Sequence, residues 1–396
     1  MKQNLGAPLF YLGTFLSSVG SLAFNLCLVV FMLQAGFPLF EVSLIIGLQR
    51  FVPVFVMGVW GHLTDRLNPR LTVVTLEIAA ATASLALLKI WDGANTNYIL
   101  FLAVCVARAV MVNFQTGSRG KIAKILSDGS YGSNAKHAIW QMKSTQGATL
   151  FAGIAGLFLI KFLSMKSAII VDLVTFLVNG LILFAIEFES EKSVNVDQSL
   201  GWKQKFHDLF KYNPQAAALD IMLAISIGGL MSFMARVSDG NHIWNAIFMT
   251  SYGLSVWIAG FLERSYAKKF SSIPFWLVLG GSYLIIGASH GPTMWVLAFM
   301  FLKDISYWVI LHRISGHIQA DTPTNLMGAV SSARFSIMVT ILAMAEILVG
   351  AWAPVVPLWA ETSLRAAVAV GVGLYLLNIN RGVLKVKEVV NDRPAL

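Results

Sequence analysis

The chain alternates long apolar runs with short polar connections. Each run holds about 20 residues, which is enough for one helix to cross the ~30 Å hydrocarbon core of a membrane. The runs cover residues 8–34, 40–62, 71–90, 98–118, 140–162, 166–187, 214–235, 242–262, 274–290, 293–312, 326–350 and 362–380. The pattern predicts an all-α membrane protein of about twelve transmembrane helices.

The composition excludes a large soluble protein. Hydrophobic residues make up 57% of the chain and charged residues 12%, and the mean hydropathy is +0.70. Soluble domains are typically about 45–50% apolar and about 25% charged. A chain of 396 residues with so few charges could not cover its surface in water.

The net charge of +9 has a topological explanation. Most lysines and arginines fall in the connections that follow even-numbered runs and in the C-terminal tail. The opposite side holds Lys89, Lys161, Lys166, Arg236 and Arg365. This bias predicts an inner-membrane protein with both termini in the cytoplasm, and it removes the reason to expect a nucleic-acid partner.

Two connections resemble each other. Residues 61–70, after the second run, and residues 259–269, after the eighth, each give a small residue, an acid, an arginine and further basic charge. Their acids, Asp65 and Glu263, are 198 positions apart, which is half of the 396-residue chain. We therefore predict two six-helix halves, residues 1–187 and 214–396, which would enclose a site near the membrane midplane. The linker between them, residues 188–213, should contain a short amphipathic helix over residues 202–212.

The first of these connections resembles the loop signature of the major facilitator superfamily. The matching positions are Gly61, Asp65, Arg66 and Arg70, while Asn68 and Pro69 depart from the usual pattern. With the twelve runs and the repeat, the resemblance covers the whole chain. It implies a secondary transporter whose first, fourth, seventh and tenth helices line a central cavity. It also implies that these four residues, with Glu263 and Arg264, form the gating loops.

Residues 134–159 resemble the fifth helix of the efflux branch that includes siderophore and macrolide exporters. Gln141, Gly147, Gly153 and Gly156 carry this similarity. Drug–proton antiporters of that branch typically have a Gly-Pro pair, where this chain has Phe151 and Ala152. The resemblance favours export of a siderophore or drug, and the missing pair weakens the case for antiport.

Ionisable residues inside the runs are numerous. A charge at mid-bilayer costs at least about 2.5–3.5 kcal/mol, so each needs a partner or a water-filled cavity. The deep candidates are Arg50, Glu77, Arg108, Asp172, Asp220, Lys303, Asp304, Arg334 and Glu346. Some should form buried pairs, and the rest indicate a polar path through the membrane.

We hypothesise that Arg108 and Lys303 face each other across the cavity and bind an anionic or carboxylate-bearing solute. The further candidates for solute binding are Asn25, Arg50, Gln115, Tyr307 and Arg334. Asp304 is the first candidate for a protonation switch and Asp220 the second, because a carboxylate near a cation can change its protonation between access states.

The sequence contains no Walker-type phosphate loop and no arrangement of catalytic or metal-ligating residues. We expect no enzyme activity, no cofactor and no metal. The expected partners are a small solute, protons and membrane lipid, and the expected state is a monomer. Three alternatives stay open: an uptake permease for a metabolite or siderophore, a lipid translocator, and a membrane-embedded enzyme.

Overall fold

The computed structural model describes residues 3–126, 131–186, 202–266, 272–289, 291–322 and 327–391. Secondary structure in these ranges is helical, apart from short turns and connections. The first half contains helices α1 Gln3–Gln34, α2 Leu39–Arg66, α3 Pro69–Ile90, α4 Tyr98–Ile125, α5 Tyr131–Phe162 and α6 Met165–Ala185. A 3₁₀ turn, Gly93–Asn95, lies between α3 and α4.

A short helix, α7, connects the two halves and covers Trp202–Tyr212, as the amphipathic pattern predicts. It packs against α8 and α13 of the second half. The second half contains α8 Pro214–Ile227, α9 Leu230–Val237, α10 His242–Tyr266, α11 Ile273–Gly287, α12 Met294–Asp321, α13 Met327–Trp352 and α14 Leu358–Asn391.

The prediction of an all-α membrane protein with about twelve spans is confirmed. Within the described ranges, nine segments are long and apolar enough to cross a membrane, and one of them, Pro214–Val237, combines α8 and α9. Gly147–Phe162 of α5 and Ile273–Gly287 are shorter apolar helices. Together with α2, they bring the number of spans to twelve.

The helix bounds differ from the apolar runs in a consistent way. α4 continues to Ile125 and α12 to Asp321, several residues beyond the runs that ended at 118 and 312. Backbone hydrogen bonding continues into polar sequence, whereas an apolar run marks only the part of a helix that suits hydrocarbon. The seventh run differs more, because it forms two helices where one was predicted.

The two halves are built alike. In the first half, α1 packs on α5 and α6, and α3 packs on α4 and α6. In the second half, α11 packs on both α12 and α14. The exact division at residues 188–213 stays a prediction, since residues 187–201 lie outside the described ranges.

Two helix pairs join the halves: α2 packs on α13, and α5 packs on α10. In the order of the spans these are the second with the eleventh and the fifth with the eighth. If the two halves are exchanged, the second span takes the place of the eighth and the eleventh takes the place of the fifth, so the first pair becomes the second. The seams between the halves therefore follow the same pseudo-symmetry as the halves themselves.

In each seam, one glycine from each of the two helices lets the helices approach closely. In the α2–α13 seam, a Cβ at Gly47 would lie 3.0 Å from the Ala343 carbonyl, and one at Gly350 would lie 2.4 Å from Cβ of Ser43. α1 ends and α2 begins at one end of the bundle, which we call the distal end. Gly47 and Gly350 both lie in the distal part of the α2–α13 seam.

The α5–α10 seam is equally close. A Cβ at Gly153 would lie 2.7 Å from Cα of Thr250, and one at Gly253 would lie 2.6 Å from Cα of Leu150. Because the obstacle is backbone, a side chain at either glycine would push the helices apart. Small residues at such crossings let two membrane helices approach closely.

The α5–α10 contact predicts that alanine has different effects on stability at two glycines of α10. We expect Gly253→Ala to destabilise the protein by about 1–3 kcal/mol, the usual cost of overpacking a tight contact. Gly260→Ala is the matched control, because a Cβ there meets nothing within 4 Å. Alanine should be neutral at that position or stabilising by up to about 1 kcal/mol through helix propensity. Apparent melting temperatures of the detergent-solubilised variants measure the difference, and equal shifts would contradict the seam.

Candidate functional site

Arg108 lies inside the first half, in a buried ion pair. Its Nε donates to Asp172 Oδ2 at 2.7 Å, and its Nη2 donates to the other carboxylate oxygen. Ser84 of α3 and Ser21 of α1 also donate to Asp172, at 2.7 and 3.3 Å. The guanidinium stacks 4.3 Å from the ring centroid of Phe24. The pair thus ties α1, α3, α4 and α6 together.

A second buried acid lies nearer the end of the bundle where α1 begins. Glu77 accepts a hydrogen bond from Arg119 Nη2 at 2.6 Å and another from Asn179. The same Arg119 nitrogen also donates to Gln115 Oε1 at 2.6 Å and to Ser17 at 3.2 Å. Gln115 therefore belongs to the core of the first half and supports the arginine.

Lys303 and Asp304 form an ion pair with each other, and both side chains are fully buried. Lys303 lies 6.0 and 5.8 Å from the ring centroids of Phe233 and Tyr283. Asp304 Oδ2 has no hydrogen-bond partner. The pair lies on α12, inside the second half.

Glu361 anchors another ion-pair cluster in this half. It accepts hydrogen bonds from Arg236 and from Nε of Arg365, the latter at 3.0 Å. The sequence assigned both arginines to the side opposite the cytoplasm, and that assignment stays a prediction. Their side chains are 10% and 6% exposed, because each lies in a helix and pairs with the same buried acid.

The seventh span is broken between α8 and α9. Gly228 ends α8, and Gly229 has φ 74°, in the left-handed region that favours glycine. The Ser226 carbonyl at the end of α8 accepts hydrogen bonds from Arg365 Nη1 at 2.9 Å and from the Tyr283 hydroxyl at 2.8 Å. The cation lies where the helix dipole is negative, so it matches the charge of the broken end.

The other side of the break holds an acid. Glu346 of α13 lies at the first turn of α9, where its Oε1 accepts the backbone N–H of Ser232 at 2.7 Å and also the hydroxyl of that serine. The N-terminal turn of a helix offers free N–H groups and positive dipole charge. Glu346 is fully buried, and its Oε2 has no hydrogen-bond partner.

Oε2 of Glu346 faces the first half. Arg50 Nη1, on α2, lies 3.6 Å from it, and the Arg50 side chain is 31% exposed. Beside this pair, the Oγ atoms of Ser43 of α2 and Ser232 lie 2.6 Å apart. Among the ion pairs of the described spans, Arg50 is the most exposed cation and Arg50–Glu346 is the one that joins the two halves.

Aromatic residues of the second half lie near Arg50. Tyr252 of α10 and Tyr307 of α12 are both within electrostatic range of its guanidinium. The Trp308 ring centroid lies 5.7 Å from that of Tyr252 and 5.1 Å from that of Tyr307. The indole nitrogen of Trp308 has no hydrogen-bond partner. We call Arg50, Glu346 and these three aromatic residues the seam site.

Asp220 and Arg334 form a bidentate pair between α8 and α13, in which Nη2 donates to Oδ1 at 3.0 Å. Arg334 Nη1 also donates to Ser315 of α12 at 2.8 Å. This pair lies within the second half, nearer the end where the chain begins. Asn25 of α1 is partly buried and its Oδ1 lacks a hydrogen-bond partner, so it keeps a free acceptor inside the bundle.

The sequence-based hypothesis is that Arg108 and Lys303 face each other across the cavity. Each already holds a buried carboxylate, of Asp172 and Asp304 respectively, because an unpaired charge in the low-dielectric interior is too costly. Their role in solute binding stays a prediction, as do the roles of Asn25, Gln115, Tyr307, Arg334, Asp304 and Asp220.

Arg70 contacts backbone carbonyls at the end of α6. Its Nε donates to the Leu183 carbonyl at 3.0 Å, and its Nη2 donates to the Phe184 carbonyl. It therefore caps the last turn of α6. The side chains of Asp65, Arg66, Glu263 and Arg264, and the surroundings of Gly61, lie outside the described residues, so the gating loops stay a prediction.

The break in the seventh span and the pairing of Ser232 with Glu346 were not predicted from the sequence. A signal was present, since two adjacent glycines, Gly228 and Gly229, interrupt an apolar run. Paired glycines inside a membrane helix point to a discontinuous helix and a binding region.

Two six-helix halves, a discontinuous helix and a charged seam between them define a polytopic membrane transporter. The sequence profile of the Major Facilitator Superfamily matches residues 10–345. The chain therefore belongs to the major facilitator superfamily. No curated protein matches the chain in sequence, and the resemblance to the siderophore and macrolide efflux branch stays a prediction.

Solved structures with the same fold include transporters of two kinds. The nucleoside transporter NupG is similar with a TM-score of 0.67 and 12% identity, over 94% of this chain and 98% of that one. A POT family transporter in complex with 5-aminolevulinic acid gives a TM-score of 0.73 at 10% identity, over 96% of each chain. The same values hold for a POT family transporter in complex with a thioalcohol-conjugated peptide.

The Arg108–Asp172 pair predicts strong coupling between the two residues. Asp172→Asn should destabilise the protein by about 3–5 kcal/mol, because it leaves a buried guanidinium without its counter-charge. Adding Arg108→Gln should restore part of the loss, and a double-mutant cycle on apparent melting temperatures measures the coupling. Asp92→Asn, at an exposed acid between α3 and α4, is the control. Additive effects of the two core substitutions would contradict the pairing.

Proposed function

We propose that the chain is a secondary transporter that binds a small carboxylate-bearing solute at Arg50 and moves it by alternating access of the two halves. The observation that carries this proposal is the state of Arg50. It is a partly exposed cation between the halves, and its nearest carboxylate oxygen is 3.6 Å away. The more deeply buried arginines already make close hydrogen bonds to carboxylates.

The chemistry of the seam site supports a small organic acid. A guanidinium has the fork geometry that matches a carboxylate. Tyr252, Tyr307 and Trp308 offer ring faces for an apolar or aromatic body, and the free indole N–H of Trp308 offers a donor. Sites for small molecules commonly combine apolar walls with a few oriented polar groups.

The seams support alternating access. The glycine contacts of both seams described above lie in the distal part or the middle of the bundle, and Ser43, Ser232, Arg50 and Glu346 join the halves in the same region. Rocking of the halves would separate these contacts and expose Arg50 to the distal side. A single chain is sufficient for this cycle, in line with the expected monomer.

The orientation follows from the charges of the connections. We propose that the protein lies in the inner membrane with both termini in the cytoplasm, so the distal side faces outward. A proton gradient is the proposed energy source. A siderophore with carboxylate groups is a solute that the site would suit, and the efflux resemblance favours its export.

The test compares acids, in proteoliposomes, with counterparts that lack the carboxylate charge. The probes are gluconate with gluconamide, N-acetyltyrosine with N-acetyltyrosinamide, and 5-aminolevulinic acid with its methyl ester. We expect counterflow of at least one acid and none of its partner without the carboxylate. Failure of every acid to exchange, or equal exchange of an acid and its partner, would overturn the proposal.

Arg50 is expected to carry the carboxylate preference. Arg50→Gln should abolish counterflow of the acid, and Arg50→Lys should retain part of it, because lysine keeps the charge but loses the bidentate geometry. Lys161→Gln removes an exposed cation at the distal end of α5 and should leave counterflow unchanged. Wild-type exchange in Arg50→Gln would exclude Arg50 as the anchor.

A further inference from the structure

Coupling of transport to protons sets a condition on the position of the acid that carries the proton. The coupling acid has to change its surroundings between the two access states. When two rigid halves rock, contacts inside a half are kept and contacts between the halves are broken. An acid whose cation lies in its own half therefore keeps the same partner throughout the cycle.

Most ion pairs in the described spans fail this condition. The pairs inside one half are Arg108–Asp172, Arg119–Glu77, Arg236–Glu361, Arg365–Glu361, Lys303–Asp304 and Arg334–Asp220. Asp304, the first sequence candidate, pairs with the adjacent residue on its own helix. Rocking the halves does not change that neighbour.

Glu346 meets the condition. Ser232 holds its Oε1 from within the second half, while Oε2 has no hydrogen bond and faces Arg50 of the first half. The groups that face Glu346 from packed helices are Arg50 from α2 and Ser232 from α9. From α8, the charged group is Asp220. It is paired to Arg334, which lies about three turns before Glu346 in α13.

We propose that Glu346 is the proton-coupling acid and that solute and proton travel together in the same direction. This inference rests on the proposed function, in which the solute carboxylate binds Arg50. One guanidinium carries a single positive charge, so it neutralises only one of two buried carboxylates. A solute that takes Arg50 therefore leaves Glu346 buried and charged, unless a proton on Oε2 neutralises it.

The cycle balances in charge. From the distal side, a proton binds Oε2 of Glu346 and the solute carboxylate binds Arg50. After the halves rock, the proton leaves for the other side, Glu346 regains Arg50, and the solute is displaced. A monocarboxylate of net charge −1 and one proton cross without net charge. An inward proton gradient then drives uptake, which contrasts with the export favoured by the efflux resemblance.

Antiport would need the opposite arrangement. Solute and proton exchange for one another when both compete for the same anion, as a cationic solute does at a carboxylate. At the seam site the solute competes with the carboxylate for a cation, so proton and solute support each other's binding. The direction of proton movement relative to the solute thus follows from the charge for which they compete. Competition between Glu346 and the solute for a cation gives movement in the same direction.

The transport test separates exchange from accumulation, using whichever acid of the panel shows counterflow. With a gradient of one pH unit, the wild type should accumulate a monocarboxylate about tenfold, because one unit corresponds to a factor of ten per proton. Glu346→Gln mimics the protonated acid, so it should keep counterflow and lose accumulation. Asp92→Asn, at the exposed acid between α3 and α4, should keep both.

Accumulation by Glu346→Gln, or proton movement opposite to the solute in the wild type, would overturn the proposal. Retained counterflow in Glu346→Gln shows that this variant is folded and still binds the solute. Absence of counterflow in the wild type is a failure of the proposed function instead, so the two failures are distinct.

A second measurement needs no solute. Cys27 and Cys105 are buried, so spin labels at Phe40→Cys and Trp352→Cys can report the distal separation of α2 and α13 with little background. Glu346→Gln removes the charge that faces Arg50, so it should shift the distribution toward longer distances than the wild type shows at the same pH. Asp92→Asn, at the exposed acid between α3 and α4, should keep the wild-type distances. Wild-type distances in Glu346→Gln, or the same shift in Asp92→Asn, would overturn the assignment.

Discussion

A charge inside the hydrocarbon layer has to be neutralised by the protein itself, and this constraint explains most of the polar contacts in the bundle. Each unpaired charge would cost at least about 2.5–3.5 kcal/mol there. Arg108 therefore lies against Asp172, and Arg119 against Glu77. Because these pairs close within one half, each half carries its own neutralised core.

The broken seventh span follows from the same constraint applied to the backbone. Ending a helix in the membrane frees carbonyl and N–H groups that water cannot reach. Arg365 and Tyr283 satisfy the Ser226 carbonyl on one side of the break, and Glu346 satisfies the Ser232 N–H on the other. The break thereby fixes an acid at the surface where the two halves meet.

Much of the fold could be predicted from the sequence because hydrocarbon thickness sets the length of an apolar run. The twelve spans were found in this way, and α7 was found from its amphipathic pattern. The seventh span was predicted as continuous, since hydropathy records how apolar Gly228 and Gly229 are but not the positive φ that Gly229 adopts.

The site was harder to predict than the fold, because pairing is a property of helices distant in sequence. Arg108 and Asp172 are 64 positions apart, and Ser232 and Glu346 are 114 apart. A single sequence shows which residues carry charge and how deep they lie. It does not show which charges neutralise each other.

The strength of a pair also bears on which one can work as a switch. A bidentate pair such as Arg108–Asp172 would cost several kcal/mol to break, which would trap the protein in one state. Arg50–Glu346 is wider, at 3.6 Å, and one partner is 31% exposed, so water offsets part of the loss when the halves separate. A cycle that breaks and re-forms a contact on every turnover needs a weak pair at the seam and strong pairs within the halves. The bundle distributes its charges in this way.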